Sequence, residues 1–321
     1  MAKVSLVYAS ILIAFLSVSP AQSPPNQPSL LVNVLDRNGH PIQDLSRDSF
    51  RVKVNGHPTA LLDAHYSLGP RRIVVLLDMS GSMRGVTDNK KWHVAREAVA
   101  DLLADTPKQV QVALVTFSSH VREAFDFSQG RSSIAAWLKN GPSQQNDIEG
   151  KTALYDAVAE AAKLLEPALP GDAIYAITDG GENSSHASES NIKERLLESH
   201  IRLFVLLFDE RSFRVEENSP PKFVTELARD TGGFVFDVPA RHYSFAASYD
   251  FDYLDDKNAR DRLDLYTKSL NTQISGFYNL QLDTPPSAKS SNVSITVVDS
   301  SGKPRKEVTW TCQRDLPPGG K

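Results

Sequence analysis

The sequence predicts an α/β protein built on a doubly wound, mostly parallel sheet, with a smaller β-rich domain supplied by the two chain ends. Three observations carry this. The middle of the chain contains continuous apolar runs of the kind found in strands covered on both faces. Those runs alternate with segments whose apolar residues recur at helical spacing. Both ends instead carry short alternating segments separated by turn residues.

Taken in order, Met1-Ala2-Lys3, the apolar stretch Val4 to Val18 and the small residues Ser19-Pro20-Ala21 read as a secretory leader over residues 1–21, with a mature chain starting near Gln22. An uncleaved anchor is the alternative, although a full span needs roughly 20 apolar residues with different flanks. No later segment approaches that length, so the mature chain is expected to be secreted or periplasmic, with no membrane span. Residues 22–29 form a proline-rich spacer. Residues 30–69 and 277–316 are the β-rich flanks, and they echo each other: "LVNVLDRNGHPIQDL" (31–45) and "SITVVDSSGKPRKEV" (294–308) share Asp-x-x-Gly-x-Pro. Each reads as strand, tight turn and return strand. "FRVKVNGHPT" adds a turn at Asn55-Gly56, and "FYNLQLDTP" and "VTWTC" add strands at the other end. These flanks form either one small domain interrupted by the middle or two separate appendages.

Residues 70–240 change period. "RRIVVLLDM" is a buried strand, "KWHVAREAVADLLADT" a helix, and "VQVALVTFS" and "VREAFDF" a hairpin whose second member is an antiparallel edge. Helix, strand and helix follow at 152–165, 172–180 and 189–200, then strand, helix and strand at 202–209, 221–232 and 233–238. Residues 241–276 read as a connection back to the β-rich part, with an interaction surface as the alternative for the aromatic and acidic "HYSFAASYDFDYLDD" (242–256).

Composition narrows the function classes. The 321 residues are 40% hydrophobic and 23% charged with a formal net charge of −4, which suits a globular chain and lacks the basic footprint that nucleic acid requires. Cys312 is the single cysteine, so no internal disulfide supports the fold; it reads as a semi-buried strand residue, with an intermolecular disulfide as the alternative. In an open parallel sheet, ligands bind beyond the carboxyl ends of the strands. Three polar clusters fall there: Asp78-Met79-Ser80-Gly81-Ser82, Thr152 in "GKTALYDA", and Asp179 in "ITDGGENSS". Two carboxylates and three hydroxyls make an oxygen donor set, which suits Mg²⁺ or Ca²⁺ and not zinc. The histidines His93, His120, His186, His200 and His242 show no ligand spacing, and Asp156 and Glu182 lie near the same edge as exposed, salt-bridging or outer acids.

Asp-x-Ser-x-Ser at 78–82, a threonine about seventy residues on and Asp-Gly at 179–180 resemble the metal-ion-dependent adhesion site of the von Willebrand factor type A domain, a Rossmann-like fold. The resemblance covers roughly residues 70–240. The strand-rich flanks resemble, more loosely, those of bacterial secreted proteins carrying such a domain. The resemblance implies direct ligation of Mg²⁺ (or Mn²⁺ or Ca²⁺) by Ser80 and Ser82, a further ligand in Thr152, and Asp78 and Asp179 acting directly or through water. It implies a non-enzymatic adhesion module whose ion accepts a Glu or Asp carboxylate from a protein partner. The competing class is a metal-dependent hydrolase of phosphoryl or ester substrates. Against it stand Ser80 in the place of a phosphatase's second acid and the absence of Gly-x-Ser-x-Gly or a Gly-rich phosphate loop. The sequence says nothing of oligomeric state.

Overall fold

The computed structural model describes residues 27–68, 71–84, 90–141, 148–209, 222–239, 257–285, 287 and 289–317. The leader, most of the spacer and the aromatic segment at 242–256 lie outside the described residues. The chain begins with Ser29–Leu35 (β1), Phe50–Val54 (β2), His57–Thr59 (β3) and Leu61–Leu68 (β4). The middle runs Arg72–Asp78 (β5), Lys90–Asp105 (α1), Gln111–Phe117 (β6), Val121–Phe125 (β7), Gly130–Asn140 (α2), Leu154–Leu164 (α3), Ala173–Thr178 (β8), Glu189–Glu198 (α4), Arg202–Asp209 (β9), Lys222–Asp230 (α5) and Val235–Pro239 (β10). It ends with Lys257–Ser275 (α6), Gly276–Leu282 (β11), Ser291–Val297 (β12), Thr309–Cys312 (β13) and Asp315–Leu316 (β14).

The six-stranded sheet has the order β10-β9-β8-β5-β6-β7 and is parallel except for the β6–β7 pair. Successive residues of β5 explain why its sequence is uniformly apolar. Ile73, Val75 and Leu77 pack into a core with Trp92, Val99, Ile134 and Leu270, while Val74 and Leu76 pack on the other face with Leu154, Leu196 and Leu227. Helices α1, α2 and α6 therefore cover one face and α3, α4 and α5 the other. The strand order reverses at β5, because the chain moves from β5 outward to β6 and β7 and returns to β8 on the opposite side. That reversal opens a crevice beyond the carboxyl ends of β5 and β8.

The flanking strands form two four-stranded sheets, β13-β1-β11-β4 and β14-β12-β2-β3, each mixing strands from both chain ends. They close on one apolar core containing Leu30, Val32, Phe50, Val52, Tyr278, Leu280, Val293 and Ile295. Cys312 packs against it, and burial pushes its thiol up to about 11. The echoed Asp-x-x-Gly-x-Pro segments are equivalent turns. Asp36 Oδ1 accepts from the Asn38 and His40 amides at 2.8 and 2.9 Å, and Asp299 Oδ1 accepts from Ser301 and Lys303 at 2.8 and 3.0 Å. Gly39 and Gly302 take the positive φ these turns require. The return strands expected after them are reduced to single bridges, Leu35 with Pro41 and Val298 with Pro304, since proline has no amide with which to extend the ladder.

Two helices depart from the sequence reading. Helix α2 occupies a stretch assigned to no element. Helix α6 fills much of the segment read as a connection, and its Leu263, Leu270 and Ile274 belong to the core of the parallel sheet, so the α/β layer extends past residue 240.

Candidate functional site

Each cluster expected to carry chemistry is held by a different piece of backbone at the carboxyl edge of the sheet. Asp78 is the last residue of β5 and is fully buried. Its Oδ1 accepts from the Ser80 amide at 2.8 Å and its Oδ2 from the Thr178 hydroxyl at 2.6 Å. Thr178 ends the neighbouring strand β8, so the pairing of β5 with β8 sets where this carboxylate points. The loop then turns, bringing Ser80 Oγ and Ser82 Oγ to 3.1 Å from each other. That turn lies against the loop before α3, where the Gly81 amide donates to the Gly150 carbonyl at 3.0 Å.

Thr152 is buried two residues ahead of α3, where its amide is held by Asn183 Oδ1 at 2.9 Å and the next amide, that of Ala153, by the Ser118 carbonyl. Asp179 follows β8. A Cβ placed on Gly181 would lie 3.2 Å from Thr152 Oγ1 and 3.5 Å from Asp179 Oδ1, so these two oxygens face the same bare stretch of backbone. Burial raises the Asp78 carboxyl above its ordinary value, and the nearby Asp179 carboxylate raises it further, against the opposing hydrogen bonds from Thr178 and Ser80. The five side chains singled out in the sequence thus belong to loops that meet, with the two acids close enough to repel.

Asp156 and Glu182 do something else. Glu182 accepts from the Tyr155, Ser184 and Ser185 amides and from the Ser185 hydroxyl. Asp156 accepts from the His186 and Ala187 amides and faces His186 Nδ1 at 3.1 Å. Both brace the loop after β8 against the start of α3. Among the described residues, no three His, Cys, Asp or Glu side chains gather as a metal-binding group, so any cation here would rely on the hydroxyls as well as the two carboxylates. That donor set fits a hard divalent ion, and the raised Asp78 carboxyl fits it too, because a cation relieves the repulsion between two buried acids.

Three residues at the site escaped the sequence reading. Thr178 and Asn183 are the braces just described. Lys91, in the first turn of α1, is 2% exposed; its Nζ donates to the Ser82 carbonyl at 2.8 Å and lies 3.4 Å from Asp179 Oδ2. Helical periodicity picks out apolar residues, so a buried lysine flanked by Trp92 reads as solvent-facing unless a counter-charge is known to lie above it.

Comparison with known proteins places this layer. Residues 73–182 match the von Willebrand factor type A domain family. Inter-alpha-trypsin inhibitor heavy chain H4 of Sus scrofa is 29% identical over 185 residues, spanning 52% of this chain and only 18% of that much longer protein. Among solved structures, BatB from Bacteroides thetaiotaomicron covers 64% of this chain and 98% of its own at 17% identity with a TM-score of 0.45. A von Willebrand factor type A protein from Catenulispora acidiphila covers 92% and 75% at 14% identity with a TM-score of 0.44. The α/β layer thus has the fold of a von Willebrand factor type A domain, with residues 73–182 matching that family. Here it is set into a β-sandwich built from the two ends of the chain. Among the described residues no helix is long and apolar enough to cross a membrane.

Proposed function

We propose that this protein is a secreted or periplasmic binding module that holds Mg²⁺, or Mn²⁺ or Ca²⁺ in its place, at the carboxyl edge of its parallel sheet, and uses it to grip an acidic side chain of a protein partner. The observation that supports this best is the convergence of Asp78, Ser80, Ser82, Thr152 and Asp179 from three separate loops at the strand-order reversal. Ser80, Ser82 and Thr152 are neutral donors for the ion. Both Asp78 oxygens already accept a hydrogen bond, one from Ser80 and one from Thr178, which favours contact through water for that acid. When bound, the ion supplies a Lewis-acidic position open to an outside carboxylate. Hydroxyl ligation leaves much of its charge uncancelled.

The test is calorimetric titration of the chain from residue 22 onward with Mg²⁺ and Mn²⁺, alongside capture of partners from the native extracellular fraction in Mg²⁺ and again in EDTA. Metal binding is expected in the wild type, with Asp78→Ala and Ser80→Ala weakening it by about 10–100-fold or more while the circular dichroism spectrum is retained. Capture is expected to disappear in EDTA. Equal titration heats in wild type and Asp78→Ala, or capture indifferent to chelator, would remove the proposal. Metal-dependent phosphatase or esterase turnover lost in Asp78→Ala would replace it with the hydrolase reading.

A further inference from the structure

Resting on the metal-binding reading above, we infer that Lys91 is a built-in counter-charge for the acidic pair of this site, stabilising the metal-free fold and weakening the grip on the cation. The observation is its position. A lysine is among the last side chains expected at 2% exposure, and this one is directed between the Ser82 carbonyl at 2.8 Å and the Asp179 carboxylate at 3.4 Å. Ser82 is itself one of the three hydroxyl donors, 3.1 Å from Ser80. The ammonium is therefore tethered to both the serine loop and the second acid.

Two consequences follow from charge alone. Without a cation, two buried carboxylates face each other, and an adjacent ammonium offsets the repulsion that would otherwise oppose folding. With a divalent cation bound, the same ammonium repels it. Asp78, Asp179 and Lys91 then sum to −1 instead of the −2 of the two acids alone, and with the ion to +1 instead of neutral. A site that stays positive when loaded holds its ion less tightly and attracts an anionic group more strongly. Lys91 is a positioning and charge-setting residue; it need not touch the ion or the partner.

The test compares wild type, Lys91→Met, Lys91→Gln and Lys91→Arg in the chain from residue 22 onward, using calorimetric titration with Mn²⁺ and thermal unfolding in EDTA and in excess Mn²⁺. The two neutral variants are expected to bind Mn²⁺ about tenfold tighter or more, to melt below wild type in EDTA, and to gain more on Mn²⁺ addition; Lys91→Arg keeps wild-type behaviour. A lysine that mattered only for packing gives the opposite sign for affinity, because a damaged loop binds metal more weakly. Folded Met and Gln variants with unchanged or weaker Mn²⁺ affinity overturn the inference while leaving the metal site standing on the wild-type titration. If neither neutral variant folds even in excess Mn²⁺, Lys91 is a structural requirement and the inference is likewise overturned. No binding in any protein, wild type included, removes the metal reading and this inference together.

Discussion

Asp78 and Asp101 show how differently two carboxylates in one layer are treated. Asp78 sits at a strand end with two hydrogen bonds fixed by neighbouring backbone. Asp101 is half-buried on α1, where burial raises its carboxyl above the ordinary value and Glu97, Asp264 and Asp105 add to this, only partly offset by Arg260. No ligand role is assigned to Asp101, so its cost appears directly in stability. Below the ordinary carboxylate value it is protonated in both folded and unfolded chains and contributes nothing. As pH rises from there through its raised folded value, the folded chain holds the proton that the unfolded chain has lost, so stability falls, and the full penalty persists above. Asp101→Asn is therefore expected to raise the melting temperature at neutral pH, with the gain shrinking as pH is lowered toward the ordinary carboxylate value. Calorimetric melting across that range checks it; a gain independent of pH would show that charge is not its source. At this scale the sequence was legible where a motif names its residues, as at Asp78, Ser80 and Ser82. It was opaque at Lys91, whose significance comes from a carboxylate 88 residues away in the chain.

Among the elements, periodicity worked best where burial was complete. Strand β5 is apolar at every position from Ile73 to Leu77 because both of its faces are covered, and β9 is apolar from Leu203 to Phe208 for the same reason. Helix α6 shows the converse. Its sequence, "KNARDRLDLYTKSLNTQIS", is dominated by charged and amide side chains; among its described residues Leu263, Leu270 and Ile274 enter the core, with Tyr266 packed against it. A stripe that narrow does not stand out from a polar linker, yet these residues seal the face of the sheet beside α1. Leu270 has no exposed surface, so Leu270→Ala is expected to cost about 2–5 kcal/mol through lost burial and the cavity left behind. Chemical denaturation followed by circular dichroism measures it. A cost near zero would mean that α6 contributes little to the layer it covers. The turns at Asp36 and Asp299 were legible for a different reason: a short side chain accepting amides two and four residues on is a local device, written within five residues.

At the scale of the whole molecule, the sandwich and the α/β layer are joined at the end of the sheet opposite the acidic site. Arg202, the first residue of β9, has no exposed surface. Its Nη1 donates to Asn33 Oδ1 of β1 at 2.7 Å and to the Gln273 carbonyl of α6 at 3.0 Å, and its guanidinium lies 5.2 Å from the Phe277 ring centre. Asn33 in turn donates to the Gln273 and Gly276 carbonyls at 3.1 and 2.7 Å, so one amide ties β1 to the junction where α6 runs into β11. Among the described residues Arg202 Nε and Nη2 find no acceptor, and burial lowers its guanidinium from the ordinary value, with Arg71 adding to the effect. Such a charge is costly in itself and costlier still when a partner is lost. Asn33→Ala removes its only side-chain acceptor among the described residues and is expected to destabilise the protein by about 1–3 kcal/mol or more. Arg202→Met fills the same space with apolar atoms and removes the charge, so it is expected to be near neutral or stabilising despite deleting the larger side chain. Equilibrium denaturation of the two variants decides the matter: if Arg202→Met costs as much as Asn33→Ala, the guanidinium is a net source of stability and not a buried charge that its neighbours exist to satisfy. The joint involves none of the acidic-site residues, so both substitutions should leave Mn²⁺ affinity at the opposite edge unchanged, and a change there would mean that the two ends of the sheet communicate.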